Sequence, residues 1–170
     1  MADPLEQIEQ QMQRKRDFDS PPLHLWHPEL SGDIDIQIAA DGSWYHEGTA
    51  IERESLRNLF ASILRREEDG EYYLVTPVEK WRIQVQLHPL LVTDVSSRDG
   101  YLQATLNTGK TVTISPDHPL QPEPSLEGVA VLSLWHGLTA LFSRSAWYRL
   151  VELADEDNRV HSGDYSYSLA

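Results

Sequence analysis

The sequence predicts an α+β protein made of two related units, each combining antiparallel β-hairpins with one amphipathic helix. Short runs of β-branched and aromatic residues recur between turn residues such as Asp-Gly, which is typical of hairpins. Two stretches with helical spacing of apolar residues each follow a predicted hairpin. The predicted organisation is a helix and proline-rich loop over 1–32, a first unit over 33–89, a second unit over 90–154 and a disordered tail over 155–170.

The composition limits the classes of function. The chain has 170 residues, about one domain by length alone, and no cysteine, so disulfides and thiol catalysis are excluded. It has neither an apolar run of membrane-spanning length nor the apolar segment of a signal peptide near its first residue. We therefore expect a cytoplasmic protein without membrane contact. The net charge of −13 disfavours nucleic-acid binding, because such a field repels phosphates.

The first 32 residues predict a helix and a tethered loop. Leu5, Ile8 and Met12 form a thin apolar stripe on a helix from Pro4 to Arg16. Three prolines between residues 17 and 32 then favour a loop, in which Leu23, Leu25 and Trp26 are expected to pack on the body. His24 and His27 lie there without accompanying carboxylates or thiols, so no metal site and no cofactor are predicted.

The first unit predicts strands on both sides of a helix. Residues 33–39 alternate apolar and polar side chains, and Asp41-Gly42 turns the chain into a return strand over 44–47. Apolar residues at helical spacing predict a helix from Glu52 to Arg66, with its arginines in the last turn, where the helix dipole favours them. Residues 71–85 are rich in β-formers, and Pro77 splits them into two strands.

The second unit predicts three strands, a proline-rich loop over 115–128, a hairpin and a closing helix. The tail that follows is acidic and serine-rich and has no period, so a mobile segment is expected there. The predicted strands are 91–95, 101–106, 111–114, 129–135 and 138–142, and the predicted helix is 144–154.

A sequence match between the two predicted units favours a duplication. Two stretches match at a constant offset of 91 residues, and each follows a hairpin strand and opens an amphipathic helix with an arginine near its first turn. The matching stretches are Ile51-Glu52-Arg53 with Leu56, Leu59 and Phe60, and Phe142-Ser143-Arg144 with Trp147, Leu150 and Val151.

Several motifs together resemble one family. They are Gly32-Asp33-Ile34-Asp35-Ile36, Asp41-Gly42-x-Trp44, Tyr72-Tyr73-Leu74-Val75-Thr76-Pro77-Val78-Glu79-Lys80-Trp81, Pro116-Asp117-His118-Pro119-Leu120 and Tyr148-Arg149-Leu150-Val151-Glu152-Leu153. This set is similar to the bacterial domain-of-unknown-function family twelve-eighty-five (DUF1285). The resemblance implies two related α+β units and a role in signal transduction or ligand sensing, with no established enzymatic activity. One position departs from the pattern: where the resemblance implies an acidic residue before a proline, this chain has Leu87-His88-Pro89.

The polar pair Glu79-Lys80, set into an apolar strand run, is the predicted site. Neighbours on a strand point to opposite faces, so each needs its own partner. Arg53 is the expected partner of Glu79, and Glu47 that of Lys80. One interpretation is that these ion pairs fix the helix to the sheet. The other is a polar pocket at the helix N-terminus, where free N–H groups and an arginine hold an anion.

No catalytic residue is predicted. His46 shares a strand face with Trp44, and Asp117 and His118 are adjacent in sequence without a serine or threonine motif that would complete a triad. The predicted ligand-binding set is Trp44, His46, Glu47, Arg53, Thr76, Glu79, Lys80 and Trp81.

Three hypotheses of function follow. The first is a non-enzymatic ligand-sensing or adaptor module in signal transduction. It would bind a small anionic ligand or a protein partner at the helix N-terminus or in a cleft between the units. The second is a small hydrolase or transferase that uses His46, Arg53, Glu79 and Lys80. The third is a structural or assembly protein that forms a homodimer through strand edges or the N-terminal helix.

Overall fold

The computed structural model describes residues 4–13, with the backbone alone for 11–13, and residues 21–169. The chain divides into two compact units, Met1–Leu87 and His88–Ala170. Each unit contains one six-stranded sheet. The predicted α+β class with two similar units is confirmed, whereas the expected purely antiparallel sheets are wrong, because each sheet contains one parallel pair of strands.

The first unit consists of two β-meanders joined through a helix. Its sheet order is β3-β2-β1-β6-β5-β4, in which β1 and β6 are parallel. The elements are α1 Pro4–Gln13, a 3-10 turn Leu23–Leu25, β1 Gly32–Ile38, β2 Trp44–His46, β3 Thr49–Ala50, α2 Glu54–Ser62, β4 Leu64–Arg66, β5 Tyr72–Val75 and β6 Lys80–Val85.

The core of the first unit lies between α2 and one face of this sheet. The alternation along β1 places its isoleucines on that face, and Ile36 and Ile38 are fully buried. Phe60 of α2 is fully buried as well, and its ring lies 6.1 Å from that of Trp44 on β2. Ile8 of α1, which packs on α2, is also completely buried. The other face of the sheet carries the polar residues of β1.

The helix of the first unit ends earlier than the sequence predicts. α2 stops at Ser62, and Leu64–Arg66 form an edge strand, with Arg65 opposite Tyr73 on β5. Apolar residues at Ile63 and Leu64 suit the buried side of either element, so their spacing does not distinguish a last helical turn from a short strand. The two arginines therefore do not lie at a helix C-terminus. The expected break at Pro77 is confirmed by the gap between β5 and β6.

The second unit repeats the strand connectivity of the first. Its sheet order is β10-β11-β12-β7-β8-β9, and in both units the first strand of the first meander runs parallel to the last strand of the second. The elements are β7 Leu90–Arg98, β8 Tyr101–Leu106, β9 Thr111–Thr113, β10 Leu120–Pro122, β11 Ala130–Ser133, β12 Thr139–Phe142, α3 Arg144–Glu152, β13 Arg159–Ser162 and β14 Tyr165–Ser168.

The two helices that the sequence match aligns are not topologically equivalent. α2 connects the first meander of its unit to the second, whereas α3 follows the last strand of the second meander. The caps differ too, since the side chain of Ser143 caps α3 through the Ala146 N–H at 3.2 Å and Arg53 makes no such bond at α2. The similarity of the units is therefore carried by their sheets. On α3, the matched residue Val151 is 42% exposed, whereas Ala146 is buried.

The C-terminal residues form a hairpin rather than the predicted mobile tail. β13 and β14 pair antiparallel, and Val160 is 1% exposed. The Ser162 hydroxyl accepts a hydrogen bond from the Leu102 N–H at 2.9 Å, and the Tyr165 hydroxyl accepts one from the Leu120 N–H at 2.9 Å. These contacts offset the entropy of ordering an acidic, serine-rich segment. Leu120 itself begins β10, a strand inside the predicted proline-rich loop.

Candidate functional site

A row of polar side chains crosses the face of the first sheet that points away from α2. Arg65 on β4 is opposite Tyr73 on β5, Tyr73 is opposite Arg82 on β6, and Arg82 is opposite Asp33 on β1. Lys80 lies two residues before Arg82 and so shares this face. The strand register thus assembles residues from four strands, which no local motif in the sequence predicted.

Glu67 joins two of the cations in this row. One carboxylate oxygen lies 2.6 Å from Nη2 of Arg65, and the other lies 2.9 Å from Nζ of Lys80. The side chains are mostly shielded, with 24% of Glu67, 11% of Arg65 and 18% of Lys80 exposed. Burial raises the pKa of Glu67, but the hydrogen bonds from Lys80 and Arg65 outweigh it, and the pKa lies below its usual value.

The remaining charges of the row are also paired. Nζ of Lys80 lies 4.7 Å from the centre of the Tyr73 ring, a cation–π contact, and the Tyr73 hydroxyl donates to Asp69 at 2.5 Å. That hydrogen bond lowers the pKa of Asp69 and raises the pKa of Tyr73. Nε of Arg82 donates to Asp33 at 2.6 Å, which lowers the pKa of Asp33. All three cations of the row therefore have a carboxylate partner.

The loop before β1 is fixed to this network. Nη1 of Arg65 donates to the carbonyls of Leu23 at 3.2 Å and of Trp26 at 2.8 Å. Leu23 is fully buried and Trp26 is 7% exposed, so the predicted tethering of this loop is confirmed at these two residues. Leu25 was expected to pack as well, yet 67% of it is exposed.

Three of the predicted site residues stabilise the turn between β5 and β6. Thr76 is fully buried, and its hydroxyl accepts the backbone N–H of Glu79 at 3.0 Å. Glu79 in turn accepts a hydrogen bond from Nε1 of Trp81 at 3.3 Å. The expected pair between Glu79 and Arg53 is wrong, because Glu79 bonds Trp81 and Arg53 forms its ion pair with Glu9.

The other predicted residues do not gather around Lys80. The expected partner Glu47 is wrong, since Lys80 is paired with Glu67 and Glu47 is exposed with a left-handed φ of 51°. Trp44 is a core residue at 3% exposure. His46 lies opposite Ile36 and therefore on the α2 side of the sheet, whereas Lys80 lies on the other side. His46, Arg53, Glu79 and Lys80 thus do not converge on one reacting atom.

A second polar cluster, which the sequence reasoning missed, lies in the second unit. Nδ1 of His88 is 2.6 Å from the Thr139 hydroxyl, and Nε2 of His88 contacts the carboxylate of Glu123. The second oxygen of Glu123 accepts the Ser125 N–H at 2.9 Å. Burial raises the pKa of Glu123, but the hydrogen bonds from Ser125 and His88 outweigh it and bring the pKa below its usual value. The departure at Leu87-His88-Pro89 was the only sequence signal, because the partners are 35 and 51 residues away.

Two exposed apolar side chains lie in hydrogen-bonded segments at the end of the first sheet where β6 begins. Val78 is 70% exposed and Leu30 is 47% exposed. Two hydrogen bonds join their segments: the Ser31 N–H donates to the Lys80 carbonyl at 2.7 Å, and the Lys80 N–H donates to the Ser31 hydroxyl at 3.1 Å. Each apolar side chain has a carboxylate next to it in the chain. We call Glu29, Leu30, Val78 and Glu79 the Leu30–Val78 patch.

Two features are absent from the residues that the structure describes, 4–13 and 21–169. Over that part of the chain, no group of three or more His, Cys, Asp or Glu side chains is placed to hold a metal ion. None of the helices described is long and apolar enough to cross a membrane.

Two family models match the chain. The N-terminal domain of DUF1285, a domain of unknown function, matches residues 21–87, and the C-terminal domain of DUF1285, described as a protein of unknown function, matches residues 89–169. The chain belongs to the DUF1285 family. The resemblance seen in the sequence motifs is thereby confirmed, and the border between the two models falls where the compact units of this DUF1285 protein meet.

Solved structures of the family have the same fold. A DUF1285 family protein from Silicibacter pomeroyi DSS-3 is 34% identical with a TM-score of 0.83, and the match covers 99% of this chain and 95% of that one. A DUF1285 family protein from Shewanella baltica OS155 is 31% identical with a TM-score of 0.59, and the match covers 69% of this chain and 90% of that one. No curated protein matches the chain. These comparisons establish family and fold.

Proposed function

We propose that the first unit of this protein is a non-enzymatic binding module, a ligand sensor or adaptor in signal transduction, that engages a protein partner. The observation that carries the proposal is the Leu30–Val78 patch, in which two large apolar side chains are exposed on a firmly held part of the fold. Large apolar side chains exposed on two hydrogen-bonded segments offer apolar area to a partner, and such area is typical of interaction sites. Because His46 and Lys80 lie on opposite faces of the sheet, the alternative of a hydrolase or transferase that uses both is disfavoured.

A protein segment suits this surface better than a small anion. An anion needs cations with spare hydrogen-bond donors, whereas Arg65, Lys80 and Arg82 are each paired with a carboxylate. Arg53, the cation at the start of α2, is paired with Glu9. The patch instead offers apolar area with carboxylates at its border. Such an arrangement matches a segment that buries apolar side chains and places cations around them.

The partner segment is therefore expected to be basic and partly apolar. Glu29 and Glu79 supply local negative charge, and the whole chain carries a net charge of −13. A field of this sign speeds the encounter with a basic partner at low salt and loses that effect as salt screens it. Binding is thus expected to weaken when the ionic strength rises.

The support beneath the patch lowers the entropic cost of binding. Lys80 is fixed by Glu67 through its side chain and by Ser31 through its backbone, and Thr76 holds the turn that carries Val78. Residues that are already ordered lose little conformational freedom when a partner docks. The charged network is on this account a structural support of the binding surface.

The experiment is a selection from a displayed library of random peptides on the immobilised full chain, run in parallel on the double variant Leu30→Ser/Val78→Ser. The proposal predicts enrichment of peptides that combine Lys or Arg with Leu, Phe or Trp on the unaltered protein only. Enrichment of the same peptides on both proteins contradicts the proposed surface. Enrichment of acidic peptides alone contradicts the proposed partner chemistry.

A further inference from the structure

We propose that Thr139, His88 and Glu123 form a relay that activates the Thr139 hydroxyl as an acceptor of acyl groups from small esters. The relay lies in the second unit and goes beyond the binding function proposed above. Its three members come from separate parts of the chain: His88 precedes Pro89, Glu123 directly follows β10, and Thr139 is the first residue of β12. Nothing in the local sequence around any one of them indicates this chemistry.

The side chains of the relay are largely shielded from water. The side chain of Glu123 is 5% exposed and that of His88 is 12% exposed, and Thr139 is partly buried. This suits a hydroxyl–imidazole–carboxylate relay, because the carboxylate acts best out of water and the hydroxyl has to meet a substrate. The neighbouring residues 124–128 are all exposed, so a small molecule can approach from that loop.

The hydrogen bonds set the direction of proton transfer. A carboxylate only accepts, so the contact with Glu123 keeps the proton of neutral His88 on Nε2. Nδ1 then carries a lone pair and accepts the hydrogen bond of the Thr139 hydroxyl at 2.6 Å. The Ser125 N–H, at 2.9 Å from the other oxygen of Glu123, holds the carboxylate in place. The two ring nitrogens have exchanged roles relative to the usual serine–histidine–aspartate order, with the same logic of base and orienting group.

The chemical step balances without any co-reactant other than water. Oγ1 of Thr139 attacks the carbonyl carbon of the ester while its proton passes to Nδ1 of His88. The ester C–O bond then breaks, and the departing alcohol takes the proton from Nδ1. Thr139 is left as an acyl ester. Water attacks this ester in the same way, gives a proton to Nδ1, and the threonine oxygen recovers it when the carboxylic acid leaves.

The charge of the chain restricts the substrates. With a net charge of −13, the protein repels anionic esters, so a neutral or cationic acyl donor is expected. A polar contact that only stabilised the fold would show no selective acylation of Thr139, and this difference makes the relay testable.

The test uses the full chain and p-nitrophenyl acetate, with release of p-nitrophenolate followed over time and the acetylated residue located by peptide mass spectrometry. Because hydrolysis of the acyl ester is a separate step, the relay predicts a burst of about one p-nitrophenolate per chain, then slower steady release, with an acetyl group on Thr139. Glu123→Gln keeps the size of the side chain but gives up the charge, and is expected to slow acetylation of Thr139 by about 10²-fold or more. Thr111→Val, a change at an exposed threonine of β9, is the matched control and is expected to react as the unaltered chain does.

Two results would overturn the relay. One is acetylation of Thr139 no faster than that of the exposed Thr111. The other is an unchanged rate in Glu123→Gln. Thr139→Ser preserves the hydroxyl and provides a further test. The relay requires the acetyl adduct at position 139 in this variant, and its absence there also contradicts the proposal.

Discussion

Replacing Glu67 by glutamine removes a carboxylate that two shielded cations share. Each of its hydrogen bonds to Arg65 and Lys80 is assisted by charge and contributes about 1.5–3 kcal/mol. Arg65 retains the carbonyls of Leu23 and Trp26, and Lys80 retains the ring of Tyr73, so part of the loss is offset. We expect Glu67→Gln to lower the free energy of unfolding by about 2–3 kcal/mol at pH 7.

The pH dependence of this stability difference shows whether it is caused by the charge of Glu67. Because the folded state depresses the pKa of Glu67, its stabilisation is present above the usual pKa of 4.5 and is lost as the pH falls through the folded-state pKa. A protonated Glu67 resembles glutamine. The difference between the unaltered chain and Glu67→Gln should therefore be full at pH 7 and disappear in acid below that pKa.

Urea unfolding, followed by tryptophan fluorescence at several pH values, measures this difference. With a slope of about 2 kcal/mol per molar urea, the midpoint should fall by about 1 M at pH 7. Glu68→Gln, at the exposed neighbouring residue, is the control and should leave the midpoint nearly unchanged. Equal effects of the two changes, or a loss that persists undiminished in acid, would refute the role assigned to Glu67.

Three further predictions concern the packing of the second unit and are tested by urea unfolding. Gly163→Ala places a Cβ 2.4 Å from the Tyr101 ring at a φ of +59°, so it should lower the free energy of unfolding by about 2–3 kcal/mol. Its control, Gly100→Ala, has a φ of +82° but open space around the Cβ and should cost about 1 kcal/mol; similar losses for the two variants would contradict the close contact. Ser143→Ala removes the cap of α3 and should lower the free energy of unfolding by about 1 kcal/mol; no loss would contradict the role of the cap. Val160→Ala should lower the free energy of unfolding by about 2 kcal/mol, and a loss near zero would contradict the packing of Val160 in the core.

The sequence predicted the fold where local patterns were unambiguous. The alternation along β1, the turn at Asp41-Gly42 and the break at Pro77 each depend on a few adjacent residues. It failed where a segment obtains its structure from distant parts of the chain. The local sequence around Leu64 fits a helix as well as a strand, and the pairing with β5 decides between them. Val160 is a core residue because its hairpin packs against β8.

The candidate sites depended even more on such distant contacts. Lys80 was selected as a polar residue in an apolar strand, but its partner Glu67 is brought to it by the pairing of β4 with β5 and of β5 with β6. No spacing rule connects His88 to Glu123 or Thr139, which are brought to it by separate strands. Ion pairs assigned from sequence neighbours therefore named the right cations and the wrong carboxylates.

The most direct test of the binding function is to titrate the full chain with the peptide that the selection enriches most and to measure the affinity by calorimetry. Fully burying an exposed Leu or Val side chain contributes about 1.5–3 kcal/mol. Because only 47% of Leu30 and 70% of Val78 is exposed, Leu30→Ser/Val78→Ser should weaken binding by at least about 2 kcal/mol, or about 30-fold, and added salt should weaken it further. Tyr148→Ser, a change at a residue of α3 that is 55% exposed, is the control and should bind as the unaltered chain does. An affinity unchanged by the double variant, or lowered equally by the control, would contradict the account.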